Sequence, residues 1–161
     1  MTSQSKPLVL RCIHALEDGV LITLTLGLLG LAVAQIVMRN GFDSGIYWID
    51  PALRAMVFWL ALVGAMIATR EKGHIAIDAV LYYLSEGLRN WVTRFVSLLG
   101  AVICLIAAWY ALDFVRDEME YGGDAFAQIP AWWVESIMPI ALGVIGLRLL
   151  IQVVYPRVDT E

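Results

Sequence analysis

Two histidines, two cysteines and a scatter of charges at the margins of long apolar runs are all that this sequence offers to chemistry. A b-type haem inside a helical bundle needs two axial ligands that face one another. His14 and His74 both lie near one end of their apolar runs, so the one haem site they can build is shallow. Cys12 falls in a terminal segment and Cys104 in an apolar block, and two such thiols make neither a disulfide framework nor a metal site. Ionisable groups in lipid are functional candidates because each is costly to hold there. Glu17, Asp18, Arg54, Asp113, Glu135 and Arg148 all fall within about two turns of a span end, where they reach the interface or pair with each other. No carboxylate stands at mid-span, where a proton-coupled pump would need one. Gln35, Thr23 and Thr25 read as packing or helix–helix contacts. There is no nucleophile beside a base, no glycine-rich phosphate loop and no metal-ligand spacing. The expectation is a protein that is not an enzyme and carries no cofactor of its own.

The elements that hold these residues are membrane spans. Of 161 residues, 60% are hydrophobic and 16% charged, against about 45–50% and about 25% in an ordinary soluble domain. The apolar residues stand in blocks long enough to cross a hydrocarbon core about 30 Å thick. The blocks predict an all-α membrane protein of four spans in one membrane domain, at about 19–38, 48–69, 91–114 and 131–154. A cleaved leader competes for the first block, since Ala32-Val33-Ala34 resembles a processing site. Glu17 and Asp18 interrupt that leader, and the apolar run continues through Met38. Asp50 before Pro51 reads as a capping residue followed by the first helical position. Pro139 is placed to kink the fourth span. Between the second and third spans, Ile77, Val80, Leu81, Leu84 and Leu88 follow helical spacing, with Asp78, Ser85, Glu86 and Arg89 largely opposite. That pattern predicts an amphipathic helix over about 75–90 that lies at the interface or against a partner. An acidic loop, from Arg116 through Asp117, Glu118, Glu120 and Asp124 with Gly122-Gly123 as a flexible turn, separates the last two spans.

Orientation follows from Lys and Arg. Lys6, Arg11, Arg70, Lys72, Arg89 and Arg157 flank one side, and Arg39 and Arg116 the other. The positive-inside rule then puts both termini and the amphipathic helix in the cytoplasm. The net charge of −4 and the lack of a dense basic block argue against nucleic acid as a partner.

Four stretches form a further pattern: Gln35-Ile36-Val37-Met38-Arg39; Trp48-Ile49-Asp50-Pro51-Ala52-Leu53-Arg54; Phe58-Trp59-Leu60-Ala61-Leu62-Val63-Gly64-Ala65; and Arg70-Glu71-Lys72-Gly73-His74-Ile75-Ala76-Ile77-Asp78. Together they resemble the small, DctQ-like membrane subunit of the tripartite ATP-independent periplasmic (TRAP) transporters. Pro139 after Trp132 and Trp133 also fits that family. Where the family commonly has two adjacent acids, this chain has Asp50 and Pro51. The resemblance implies a scaffold in the bacterial inner membrane beside a large multi-span permease. That permease binds sodium and an organic anion, which a periplasmic substrate-binding protein delivers. It marks Arg39, Trp48, Asp50, Arg54, Arg70, Lys72, Gly73, His74 and Asp78 as partner or lipid contacts. His74 and Asp78, four apart, either pair across a helix turn or serve as ordinary helix-start chemistry. Two rivals remain. A self-sufficient four-helix exporter needs a first-span glutamate, for which Glu17 is the candidate, placed before the span. A haem-bearing anchor for a dehydrogenase needs His14 and His74.

Overall fold

The computed structural model describes residues 8–70 and 86–154, with side chains from 12 onward apart from Glu86 and Arg89. The described chain is helical except for one small hairpin. Four of its helical stretches are long and apolar enough to cross a membrane: Cys12–Gly41, Ile49–Arg70, Asn90–Tyr121 and Ala131–Val154. The four expected spans are therefore present, and the first and third run past the expected limits at both ends. The chain divides into two compact units, Met1–Ile67 and Ala68–Glu161. Most of the amphipathic helix expected over 75–90 falls outside the described residues. Its last five positions belong to the start of the long third-span helix.

In the first unit, α1 (Leu8–Gly41) is followed by a short turn and α2 (Ile49–Arg70). The Met38 carbonyl ends α1 by accepting from the N–H groups of Phe42 (3.1 Å) and Ser44 (3.3 Å). Between those two donors Asp43 takes φ 47°, a left-handed conformation that Asp tolerates better than most residues. It turns the chain back toward α2. α2 begins at Ile49, two residues before the first helical position that the Asp50-Pro51 pair predicts, so Asp50 lies in the first turn instead of capping it, and the Trp48 carbonyl accepts from Ala52 N–H at 3.1 Å. Pro51 still lies in the first turn, where a missing N–H leaves nothing unpaired.

In the second unit, α3 (Glu86–Tyr121) packs antiparallel along α5 (Ile137–Val154). Their contact is built from small residues. Ala101 and Ala141 are fully buried, Ala108 and Ala111 nearly so, and no large side chain is. A Cβ at Gly100 would come within 3.1 Å of Leu149, and one at Gly146 within 3.0 Å of Leu105. Ser97, Ala101, Ala108, Ala111 and Val115 are the buried stripe of α3, and their spacings of four, seven, three and four follow a helix–helix seam. Without a hydrophobic drive between helices in lipid, such close backbone approach is what dispersion and packing reward.

The acidic loop expected between the last spans is largely helix, since α3 carries Asp117, Glu118 and Glu120 and runs to Tyr121, and a hairpin follows it. Strands β1 (Asp124–Phe126) and β2 (Ile129–Pro130) pair antiparallel, and Ala131 N–H donates to the Gly123 carbonyl at 2.9 Å below them. Both turn residues, Ala127 (φ 46°) and Gln128 (φ 66°), have positive φ, the signature of a type I′ turn. The last span is interrupted: α4 (Ala131–Glu135) stops and α5 starts after Ser136. Pro139 explains where. It has no N–H for the Glu135 carbonyl four residues back, so the ladder breaks one turn before the proline.

Candidate functional site at the first interhelical turn

The sequence gives no catalytic site, and among the described residues no three His, Cys, Asp or Glu side chains are grouped to hold a metal ion. Both cysteines are free thiols. His14 is half-buried, while His74 lies outside the described residues. Glu17, expected just before the first span, is inside α1 and only 8% exposed. Asp113 pairs with Arg116 at 3.2 Å near the far end of α3.

The polar feature with the most structure is an open cleft of about 410 Å³ where α1 turns into α2. Gln35 organises it. Its amide lies on the last turns of α1, is 6% exposed, and bonds to one residue in both directions. Ile46 N–H donates to Gln35 Oε1 at 3.3 Å, and Gln35 Nε2 donates to the Ile46 carbonyl at 3.3 Å. The same nitrogen reaches Asp50 Oδ1 at 3.5 Å, a long and weak contact. The Ile46 carbonyl also accepts from Ile49 N–H at 3.2 Å, so the amide is the partner that the Ile46 N–H would otherwise lack beside an apolar helix.

Arg39, one turn after Gln35, lines the same cleft together with Asp43, Tyr47 and Asp50, all four exposed. Gly45 lies beside both: a Cβ there would be in ordinary contact with Arg39 Cγ at 3.4 Å and Gln35 Nε2 at 3.6 Å. The turn therefore brings together two segments that the sequence reading marked separately, Gln35 to Arg39 and Trp48 to Arg54. Trp48 is half-buried just before α2, and Arg54 is exposed one turn beyond Asp50. Arg70, half-buried, ends α2. Lys72, Gly73, His74 and Asp78 lie outside the described residues.

Asp43 and Tyr47 were not among the expected site residues. No local motif marks them. The signal available was their position, in a short polar turn between two spans whose adjoining ends carry Gln35, Arg39 and Asp50.

Comparison with known proteins agrees with this layout. The chain is 24% identical over 131 residues to the sialic acid TRAP transporter permease protein SiaT of Haemophilus influenzae, covering 81% of this chain but 21% of that protein. It is 26% identical over 82 residues to a putative TRAP transporter small permease protein of the same species, covering 49% of this chain and 51% of the relative. To the C4-dicarboxylate TRAP transporter small permease protein DctQ of Vibrio cholerae it is 23% identical over 148 residues, covering 74% of this chain and 62% of the relative. The chain thus spans from a fifth to under two thirds of these relatives. The family model for the DctQ component of tripartite ATP-independent periplasmic transporters matches residues 28–157. That match takes in the cleft and all three later spans, and this multi-pass membrane chain belongs to the DctQ family, a transporter family.

Proposed function

We propose that this chain is the non-transporting scaffold of a TRAP transporter for organic anions, holding a larger permease in the membrane and helping to dock a periplasmic binding protein. The observation that carries the reading is the first span. Only 6% of its most apolar stretch is buried by this chain, against 22% for each of the other three. Leu16, Ile22, Leu26, Leu29, Val33 and Ile36 stand exposed along it. Such a helix is suited to a partner's surface as well as to lipid. The match to SiaT supports the same reading, because a region like this chain makes up a fifth of that longer permease protein. The names of two relatives refer to sialic acid and C4-dicarboxylates, and both are carboxylates. Substrate and sodium are then handled by the larger permease, and this chain needs no cofactor.

In this reading the chain lies in a bacterial inner membrane with both termini in the cytoplasm. The cleft, the acidic end of α3 and the hairpin then share the periplasmic side, where a substrate-binding protein arrives. The amphipathic segment around 75–90 lies at the cytoplasmic surface, its Arg70 and Lys72 near anionic headgroups.

The test is reconstitution. The tagged chain is expected to retain a larger permease through detergent purification. Proteoliposomes with permease, binding protein and this chain should accumulate an organic acid under a sodium gradient, and those with this chain alone should not. Uptake by this chain alone would sink the scaffold reading.

A further inference from the structure

The break in the last span encloses a carboxyl oxygen that has no hydrogen-bond donor. Glu135, the last residue of α4, is half-buried as a whole, but its Oε2 is shut off from solvent with no partner among the described residues. The donors nearest to it in the chain are committed elsewhere. Ser136 gives its N–H to the Trp132 carbonyl at 2.9 Å and its hydroxyl to the Trp133 carbonyl at 2.8 Å. Ala131 N–H goes to the Gly123 carbonyl at 2.9 Å, and Gly122 N–H to the Glu118 carbonyl at 2.9 Å. Pro139, one turn on, has no N–H to give. α4 packs against α3, and the charge that α3 brings to bear on Glu135 is a second carboxylate, Glu118. Glu118 is half-buried, with its side chain folded back against Gly122. No cation offsets the pair. Arg116, the basic residue at this end of α3, is bound to Asp113 at 3.2 Å, and both side chains are open to solvent. Asp117 and Glu120 on α3 and Asp124 on the hairpin are acidic and exposed. The one charge on α5, Arg148, lies toward its opposite end.

We infer that Glu135 carries a proton at neutral pH and shares it with Glu118, so that α4 is tied to the end of α3 by a pH-sensitive joint. An enclosed carboxylate oxygen with neither donor nor cation is costly, and such a group takes up a proton instead. Two carboxylates that act on each other hold one proton between them more readily than they hold two charges. The proton turns Oε2 from an unpaired acceptor into a donor, and the Glu118 carboxylate accepts, which makes a charge-assisted bond. In alkali the proton leaves to water and two anions face each other. α4 is short and already cut from α5 at Ser136, so it is the piece that gives way. The folded chain thus holds a proton that the unfolded chain releases at neutral pH. The tie is therefore present at neutral pH and lost as pH rises through the point where Glu135 ionises. This holds whichever face of the membrane the joint occupies.

The test is an infrared titration of the full chain in lipid nanodiscs. At neutral pH the spectrum should contain a protonated-carboxyl C=O band that Glu135→Gln removes. Above its midpoint the band should fade about tenfold for each pH unit. Glu118→Gln keeps an acceptor but removes the like charge, so the midpoint should move toward acid. Asp117→Asn, an exposed neighbour in sequence, should leave it nearly unmoved. Amide exchange then reads the joint itself. At equal alkaline pH, α4 should exchange faster in the unaltered chain than in Glu135→Gln, whose side chain stays neutral. At neutral pH the two should exchange alike. Circular dichroism checks that each variant folds, and the midpoint in Glu118→Gln decides the matter if Glu135→Gln does not. A folded Glu135→Gln that removed no band at neutral pH would overturn the proton. An unmoved midpoint in folded Glu118→Gln would overturn the sharing, and equal exchange of α4 in alkali would overturn the joint.

Discussion

Gln35 shows how one side chain can set the geometry of a turn between spans. Both of its amide atoms are used on Ile46, and it is almost wholly buried. Replacing it with Leu leaves the Ile46 N–H without its partner, while the Ile46 carbonyl keeps the Ile49 N–H at 3.2 Å, at a cost of about 1–3 kcal/mol. A lowered melting temperature in detergent is the expected outcome. Gln35→Glu is informative in a different way. The carboxylate keeps the acceptor for Ile46 N–H but loses the donor and adds a negative charge beside Asp50. Protonating that glutamate restores a donor, so its deficit relative to the unaltered chain should shrink as pH falls from neutral through about 4. Melting curves across that range check it, and a deficit that grew in acid would contradict the assignment. Sequence reading could place Gln35 and Arg39 on one helix face, because they are four apart. It could not pair Gln35 with Ile46 eleven residues on, since that depends on a left-handed Asp43 for which no local pattern exists.

Element boundaries were legible where a residue enforces them and obscure where packing does. Pro139 was readable as a kink, and the break at Ser136 falls one turn before it, where a missing N–H must be felt. The hairpin was not readable. Its turn carries Ala127-Gln128 instead of the Asn-Gly that usually announces a type I′ turn, and acidic residues around it suggested only a solvated loop. Two non-glycine residues in left-handed conformations each store about 1–2 kcal/mol. Substituting Asn at 127 and Gly at 128 should therefore raise hairpin stability, seen as slower amide exchange at Phe126 and Ile129. The α3–α5 contact makes the opposite prediction. Leu at position 146 would drive a side chain into Leu105, 3.0 Å from where its Cβ would sit. We expect a loss of about 1–3 kcal/mol for such overpacking, measured as a lower melting temperature, while Leu at the open Gly30 should cost far less.

At the scale of the molecule, composition alone dictated four spans, and charge asymmetry suggested which side each end occupies. That second step can be tested with the two cysteines already present. Cys12 is exposed near the start of α1, whereas Cys104 is partly buried within α3. With the amino terminus in the cytoplasm, a membrane-impermeant maleimide should label Cys12 in inverted vesicles and leave it untouched in intact spheroplasts. Cys104 should stay unlabelled in both. Labelling of Cys12 from outside the cell would reverse the orientation and move the cleft to the cytoplasmic face. What composition could not supply is the partner. A lipid-facing helix and a partner-facing helix draw on the same apolar residues, so the exposed face of α1 looks alike in either setting until a second chain is found on it.

The unequal lengths of α3 and the last span have a mechanical consequence. At 1.5 Å per residue, the 36 residues of α3 reach about 54 Å, while the 24 of the last span, Ala131–Val154, reach about 36 Å. A hydrocarbon layer is about 30 Å thick. Tilting or sliding lets the longer rod suit thick and thin bilayers alike, but the shorter one has little length to spare. Because the two are locked together through glycine and alanine, the last span limits the bilayer thickness that the pair can match, and a membrane well above that thickness thins around it.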